Sequence, residues 1–286
     1  MTAQIMDGTG VAEDLYRHVA NEASEYARST GRRPLLATVI VGDDHASHTY
    51  VRMKRSRCAK AGIDSRSIEL ASSTTTTQLI DILRRLSDDP AVDGILVQHP
   101  LPDHIDERAA FESIAPGKDV DGVTLHSFAA MAFSETGYQA CTPGGIMHLL
   151  EAYDVELAGK HAVVVGRGPI LGKPMGMLLL ARDATVTCCH SRTRDLAEHI
   201  QRADIVVAAV GRPGLIRGDW IRPGAVVIDA GYNAGNLGDV QFDVAVQRAS
   251  LITPVPGGVG PMTIAMLITQ TMQSAHTREK PMAGLV

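Results

Sequence analysis

The 286-residue sequence predicts an α/β protein with two lobes. Short apolar runs alternate with helix-like segments along most of the chain, and a glycine-rich turn follows one of these runs near the middle. Hydrophobic residues make up 45% of the chain, which is enough for one large domain or for two ordinary domains that each have a core. Strands that alternate with helices are typical of parallel sheets covered by those helices.

The first lobe is predicted to span residues 1–141. Apolar residues recur at helical spacing from Val11 to about Ala27, and LLATVIV then predicts a buried strand. A basic helix over about 46–61 and a strand over 63–70 follow. A helical stripe then includes Leu79 and Leu83, and the short strand DGILVQ follows it. This repeated alternation of helix and strand predicts a parallel sheet.

The second lobe is predicted to span residues 142–261. Its first helix is expected in CTPGGIMHLLEAY, with Thr142 in an N-cap-like position and Pro143 in the first turn. HAVVVG, ATVTCC, DIVVAAV and AVVIDA then predict four short strands, a rhythm typical of doubly wound nucleotide-binding sheets. A final helix within about 262–286 is expected to return to the first lobe.

Charge and cysteine usage indicate the kind of partner and the compartment. The formal charge of −5 and the pI near 6.1 provide no basic field, so neither nucleic acid nor an anionic membrane is expected as a partner. The four cysteines lack the spacing of a disulfide scaffold, and no leader or membrane span is predicted. A small-molecule substrate and a cytoplasmic location fit these features best.

A glycine loop follows the strand HAVVVG. Gly166, Gly168 and Gly172 have GxGxxxG spacing, and a helical segment follows them. Such a loop lets the backbone approach a pyrophosphate, which the following helix N-terminus attracts, with Arg167 as a phosphate partner. The alternative interpretation is an ordinary strand-to-helix turn.

The next strand favours NADP over NAD. Sheets specific for NAD normally end this strand with an acidic residue, whereas here it ends in CHSR, which includes Ser191 and Arg192. A hydroxyl and a cation suit a 2′-phosphate, although the cations would equally fit a solvated helix start. Gly211, just past the carboxyl end of DIVVAAV, is predicted to lie beside the cofactor.

Candidate chemistry in the first lobe centres on Lys54. Tyr50 and Lys54 are four residues apart and share a helix face, where crowded cations would lower the pKa of the amine. A solvated basic face is the alternative interpretation. Gln98 ends the strand DGILVQ, and Asp121 lies in KDVDG. A calcium loop aligned on Gly122 would have Gly117 and Phe128 at its first and last ligand positions, and neither has a side-chain oxygen. No metal site is predicted.

Several motifs together resemble one family. YVRMK, GILVQHPLP, KDVDG, CTPGG, ATVTCCHSRT and TPVPGGVGPMT look like the bifunctional methylenetetrahydrofolate dehydrogenase/cyclohydrolase family, often called FolD. The match runs in order from about residue 7 to residue 270, and PVPGGVGPMT is its most specific part. The resemblance implies a catalytic α/β lobe and a Rossmann-like NADP-binding lobe that flank a cleft, and a homodimer.

The resemblance also implies roles for individual residues. Lys54 matches the catalytic lysine, Gln98 the partner that positions it, Tyr50 the aromatic ring on the folate and Asp121 the carboxylate that bonds the pterin. The expected cofactor contacts are Gly166, Arg167, Gly168, Gly172, Ser191, Arg192, Gly211 and Tyr232, and Gly257, Gly258 and Pro261 are expected near the substrate.

The implied chemistry has two steps. Hydride transfer to NADP turns methylenetetrahydrofolate into the methenyl form, and hydrolysis through Lys54 then gives formyltetrahydrofolate. This sequence departs from the family pattern at His99, Gly168, Pro169 and Tyr232, which puts the balance of the two activities in doubt. The rival interpretations are an amino-acid dehydrogenase, against which PVPGGVGPMT argues, and a binding-only regulatory protein.

Overall fold

The computed structural model describes residues 2–42 and 45–279, without the side chains of residues 45–50 and 279. Within these ranges the strands are β1 (Gln4–Ile5), β2 (Leu35–Val41), β3 (Asp64–Leu70), β4 (Gly94–Val97), β5 (His161–Val165), β6 (Thr185–Cys189), β7 (Ile205–Ala208), β8 (Val226–Asp229) and β9 (Leu251–Ile252). The α-helices are α1 (Gly8–Thr30), α2 (His45–Lys60), α3 (Thr76–Asp88), α4 (Glu107–Phe111), α5 (Leu125–Phe133), α6 (Cys141–Ala152), α7 (Gly172–Leu180), α8 (Leu196–Gln201), α9 (Phe242–Ala245) and α10 (Val259–Glu279). The predicted α/β class is confirmed.

The chain divides into two compact units. The six-stranded unit comprises the chain up to Glu13 together with 131–135 and 140–263. The three-stranded unit comprises 14–130, 136–139 and the chain from Ile264 onward. The two predicted lobes are therefore confirmed, whereas the boundaries 1–141 and 142–261 stay predictions.

The three-stranded unit contains a parallel sheet in the order β3-β2-β4. The central strand β2 is buried along almost its whole length, as its unbroken apolar run predicts. On α3, the apolar stripe places Leu79, Leu83 and Leu86 in the core. Thr75 and Gln78 form a capping box that fixes where this helix begins.

A polar stripe on α10 bonds two loops of the three-stranded unit. The buried Gln270 amide donates to the backbone oxygens of Val120 (2.8 Å) and Gln139 (2.9 Å). One turn later, Ser274 bonds the backbone oxygen of Asp93 at 2.6 Å, so the stripe follows the helical period. The last helix thereby supports the segment that carries Asp121.

The six-stranded unit contains a parallel sheet in the order β1-β9-β8-β7-β5-β6. The four predicted strands form β5 to β8. Their apolar side chains, such as Val163 and Val206, lie in the core together with Ile200 of α8. The strands β1 and β9, which pair with each other through two residues each, were not predicted from the sequence.

One helix start differs from its prediction. Thr142 does not cap α6, because the helix already begins at Cys141 and the N-cap position belongs to Ala140, which provides no side-chain bond. Thr142 instead hydrogen-bonds Thr263 on α10 at 3.0 Å. Among the described helices, none combines the length and the apolar character that a membrane span requires.

Candidate active-site residues

Lys54 and Gln98 come together in the three-stranded unit. Lys54 Nζ donates to Gln98 Oε1 at 2.9 Å, and Gln98 Nε2 donates to the backbone oxygen of His99 at 2.8 Å. Because a carbonyl oxygen only accepts, the second bond fixes the amide so that its oxygen faces the lysine. Gln98 is 9% exposed and Lys54 is half-buried, so this pair holds an amine in place at the edge of the core.

Tyr50 lies in the same helix as Lys54. Its side chain is outside the described part of the structure, so its expected contact with the folate stays a prediction. Cys58, one turn after Lys54, is fully buried, and that burial raises the pKa of its thiol to about 12. The thiol therefore stays protonated at neutral pH.

Asp121 lies in a loop that the buried Asp119 organises. Oδ1 of Asp119 accepts from the backbone N–H of Val123 (3.1 Å), and Oδ2 accepts from the N–H and hydroxyl of Thr124 and from the Ser127 hydroxyl (2.6 Å). Burial raises the pKa of Asp119, and the bonds from Ser127 and Thr124 oppose this effect. Asp121 is half-buried, and its carboxylate has no hydrogen-bond partner among the described residues.

The glycine loop of the six-stranded unit depends on two of its three glycines. A Cβ on Gly166, whose φ is 137°, would lie 2.2 Å from the oxygen of Ala209, and one on Gly172 would lie 2.5 Å from the Gly166 oxygen. A Cβ on Gly168 would meet nothing within 4 Å. The loop therefore packs tightly on its inner side and is open on its outer side, which fits a dinucleotide pyrophosphate.

The candidate phosphate-binding residues lie just past the carboxyl ends of two neighbouring strands. Val165 of β5 pairs with Cys189 of β6, and the Gly166 N–H donates to the Cys189 oxygen at 2.9 Å. Arg167 and Ser191 each lie two residues past the end of their strand. The side chains of Arg167, Ser191 and Arg192 are exposed and have no hydrogen-bond partner among the described residues. They fit a ligand phosphate.

A tight turn presents Ser191 and Arg192. The Thr193 N–H donates to the His190 oxygen at 2.9 Å, the His190 N–H donates to the Thr193 hydroxyl at 2.8 Å, and the Arg192 N–H donates to His190 Nδ1 at 3.2 Å. His190 and Thr193 thus use their polar groups within the turn. The two residues between them are left for a ligand.

Gly211 and Tyr232 lie on loops after β7 and β8. Gly211 has a φ of 62°, and a Cβ there would meet nothing within 4 Å. Tyr232 is 59% exposed, and its hydroxyl donates to Asn236 Oδ1 at 2.8 Å. Gly211 therefore leaves space for a ligand next to its backbone.

The PVPGGVGPMT run packs against the start of α1. A Cβ on Gly8 would lie 1.8 Å from the Gly258 oxygen, and one on Gly258 would lie 2.6 Å from the Pro254 oxygen. The Thr9 N–H donates to the oxygen of Gly257 at 3.1 Å. Close backbone contact thus explains Gly258, while Pro261 lies in the first turn of α10.

Three buried polar residues near these loops were not predicted from the sequence: Asp119, Asp239 and Gln270. Asp119 has a local signal, because Thr124 and Ser127 follow it at short spacing as loop-forming partners. Asp239 bonds the backbone of residues 210–212, far away in sequence, and no motif indicates such contacts.

Comparisons with known proteins agree with this arrangement. Residues 6–121 match the catalytic-domain model of the tetrahydrofolate dehydrogenase/cyclohydrolase family, and residues 140–279 match its NAD(P)-binding-domain model. The chain is 69% identical over 274 residues to "Bifunctional protein FolD 1" of Streptomyces avermitilis, covering 96% of each chain. It is 66% identical over 276 residues to the protein of the same name from Salinispora arenicola, covering 96% of this chain and 99% of the relative.

A solved structure is similar over nearly the full length. It is the Trypanosoma brucei methylenetetrahydrofolate dehydrogenase-cyclohydrolase complexed with NADP cofactor and an inhibitor. Its TM-score is 0.95 at 40% identity, covering 98% of this chain and 100% of that chain.

Proposed function

The chain belongs to the tetrahydrofolate dehydrogenase/cyclohydrolase family, and we infer that it oxidises methylenetetrahydrofolate with NADP and hydrolyses the methenyl product to formyltetrahydrofolate. The observation that carries this function is the bond of 2.9 Å between Lys54 Nζ and Gln98 Oε1. It places an oriented amine in the unit that matches the catalytic-domain model.

Lys54 is the proton carrier of the hydrolytic step. Water adds to the methenyl carbon and loses a proton, and the bond from that carbon to one ring nitrogen breaks as the nitrogen gains a proton. A neutral Lys54 amine accepts the first proton and donates the second. Gln98 accepts one N–H of the amine and so orients it, and we propose that the lone pair of Lys54 points at the attacking water.

The six-stranded unit holds the cofactor. The chemistry that NADP supplies when bound is acceptance of a hydride from the bridging methylene of the folate. Gly166, Gly168 and Gly172 fit the pyrophosphate, because the loop is open on its outer side. Arg167, Ser191 and Arg192 are proposed to bind the 2′-phosphate, which their exposed and unpartnered side chains support.

The substrate residues are proposed on the same basis. Asp121 has a carboxylate without a hydrogen-bond partner in the described chain and is proposed to bond the pterin. Tyr50 is proposed to pack on the pterin ring. The backbone of Gly257, Gly258 and Pro261 is proposed to approach the folate. Gly211 and Tyr232 are proposed to contact the nicotinamide half of the cofactor.

The two activities are tested by one assay series. Purified protein receives methylenetetrahydrofolate with NADP or NAD, and reduced nicotinamide and methenyl product are measured before and after acidification. Acid converts the formyl product back to the methenyl form, so the difference reports hydrolysis. NADP reduction with methenyl recovered after acid is expected. Binding without reduction would indicate a regulatory protein instead.

A homodimer and a cytoplasmic location complete the proposal. β3 lies at the edge of its sheet, and its outer side pairs with no strand in the described chain. Such an edge can accept a second copy, and light scattering would give the mass. All four cysteines are free, as a reducing compartment requires, and cell fractionation tests the location.

A further inference from the structure

Asp239 is a buried carboxylate that binds the loop after β7. Its Oδ2 accepts from the backbone N–H groups of Val210 (2.7 Å) and Gly211 (2.9 Å), and its Oδ1 accepts from that of Arg212 (2.8 Å). Asn233 Nδ2 donates to the same Oδ1 at 3.1 Å. The side chain is 0% exposed, so these four donors replace water around the carboxylate.

Asp229 connects Asp239 to the end of β8. Its Oδ1 accepts from the N–H of Asp239 at 2.9 Å and from that of Gly231 at 3.0 Å, and its Oδ2 accepts from Val240 at 2.9 Å. Asp229 is the last residue of β8 and pairs with Ala208, the last residue of β7. Asp229 and Asp239, which are linked by a hydrogen bond, thus join the ends of neighbouring strands to the loops beyond them.

These loops are packed too closely to shift independently. A Cβ on Gly231 would lie 2.3 Å from the Asp239 carboxyl carbon, and one on Gly238 would lie 2.0 Å from Asp229 Oδ2. Only glycine fits at either position. In contrast, a Cβ on Gly211 would meet nothing within 4 Å.

We propose that Asp239 is a positioning residue for NADP, because it holds the backbone of residues 210–212 at the carboxyl edge of the sheet where the cofactor lies. The inference rests on the proposed NADP-dependent function. Since the Gly211 N–H is already used by Asp239, Gly211 meets the cofactor through its α-carbon and carbonyl. The carboxylate acts through the loop and does not touch the ligand.

Asp239→Asn tests this role with little change in size. An amide has one acceptor oxygen, so one pair of the four donors would face an N–H₂ group. The dissociation constant for NADP, measured by calorimetry without folate, is expected to rise about tenfold or more. Hydrolysis of methenyltetrahydrofolate, measured without NADP, is expected to stay within about twofold of wild type. Asp243→Asn, which removes an exposed charge on α9, is the matched control and leaves both unchanged.

The possible results distinguish failure of the positioning role of Asp239 from failure of the proposed function. If wild type binds NADP and Asp239→Asn binds it equally well, the positioning role is overturned and the proposed function stands. If wild type binds no NADP, both are overturned. If Asp239→Asn also loses hydrolysis, the substitution unfolds the chain, and Asn233→Ala decides. That variant removes one donor, and a rise of about threefold in the NADP dissociation constant with hydrolysis retained supports the role, whereas no rise overturns it.

Discussion

The loops that carry Asp121 and Gly211 are each held by a buried aspartate, but over different spans of chain. Asp119 bonds Val123, Thr124 and Ser127, all within eight residues of itself. Asp239 bonds the backbone of residues 210–212, up to 29 positions earlier in the chain. The loop of Asp121 is therefore organised by its own segment, and the loop of Gly211 by the order of strands in a sheet.

This difference means that the residues proposed for hydrolysis and those proposed for NADP binding are held in place by different parts of the chain. Lys54, the proposed proton carrier, and the loop of Asp121 belong to the three-stranded unit, while the glycine loop and Asp239 belong to the six-stranded unit. Hydrolysis needs no cofactor, whereas oxidation needs both ligands. Substitutions in one unit should therefore change one set of measured constants and leave the other.

The largest effect is expected from Lys54→Met. The variant keeps the length of the side chain and removes the proton carrier, so hydrolysis should fall roughly 10²- to 10⁴-fold. The dissociation constant for NADP should not change. Lys60→Met, at the exposed end of α2, is the control and should hydrolyse normally. Full hydrolysis by Lys54→Met would remove the lysine from the mechanism.

The glycine loop provides the next largest effect. A methyl group at Gly172 would overlap the Gly166 oxygen, and overpacking of this kind costs about 1–3 kcal/mol. Gly172→Ala should therefore weaken NADP binding roughly 10- to 100-fold. Gly168→Ser adds a side chain where nothing lies within 4 Å and should bind NADP at least as well as wild type. Equal losses in both variants would contradict the packing argument.

Asp119→Asn tests the hydrogen bonds that organise the loop of Asp121. One of its two acceptor positions becomes a donor and faces N–H or hydroxyl groups, so the loop of Asp121 loosens. The KM for methylenetetrahydrofolate should rise about tenfold, with NADP binding retained. Asp81→Asn, on the exposed face of α3, is the control. A loss of NADP affinity in Asp119→Asn without a change in KM would break the comparison.

The smallest effect on activity is expected from Asp229, which contributes a pH dependence of stability. Burial raises the pKa of Asp229 to about 6, against bonds from the N–H groups of Asp239, Val240 and Gly231. Because this pKa lies above that of the unfolded chain, the folded state binds the proton more tightly, and stability is lost as pH rises from about 4 to about 6. Urea unfolding of wild type and Asp229→Asn should show the wild-type advantage shrinking by roughly 1–3 kcal/mol over this range. A constant difference would contradict the assignment.

The sequence predicted the parts of the fold that have a period or a motif. The strands β2 and β4 to β8 were found from their apolar runs, and β3 was predicted without such a run, after the basic helix. In contrast, β1 and β9, with two residues each, are too short to show a run. Thr142 was wrongly placed as a cap, because a threonine before an apolar run has the same pattern one position inside a helix. Asp239 and Gln270 stabilise the loops through backbone groups distant in sequence, which no residue pattern reveals.

The most direct test of the account compares Lys54→Met, Asp239→Asn and wild type in two assays on the same preparations. One assay measures hydrolysis of methenyltetrahydrofolate without cofactor, and the other measures NADP binding without folate. The account predicts that Lys54→Met loses only hydrolysis and that Asp239→Asn loses only NADP affinity. If both variants lose both properties together, the two units do not support the two activities separately, and the account is wrong.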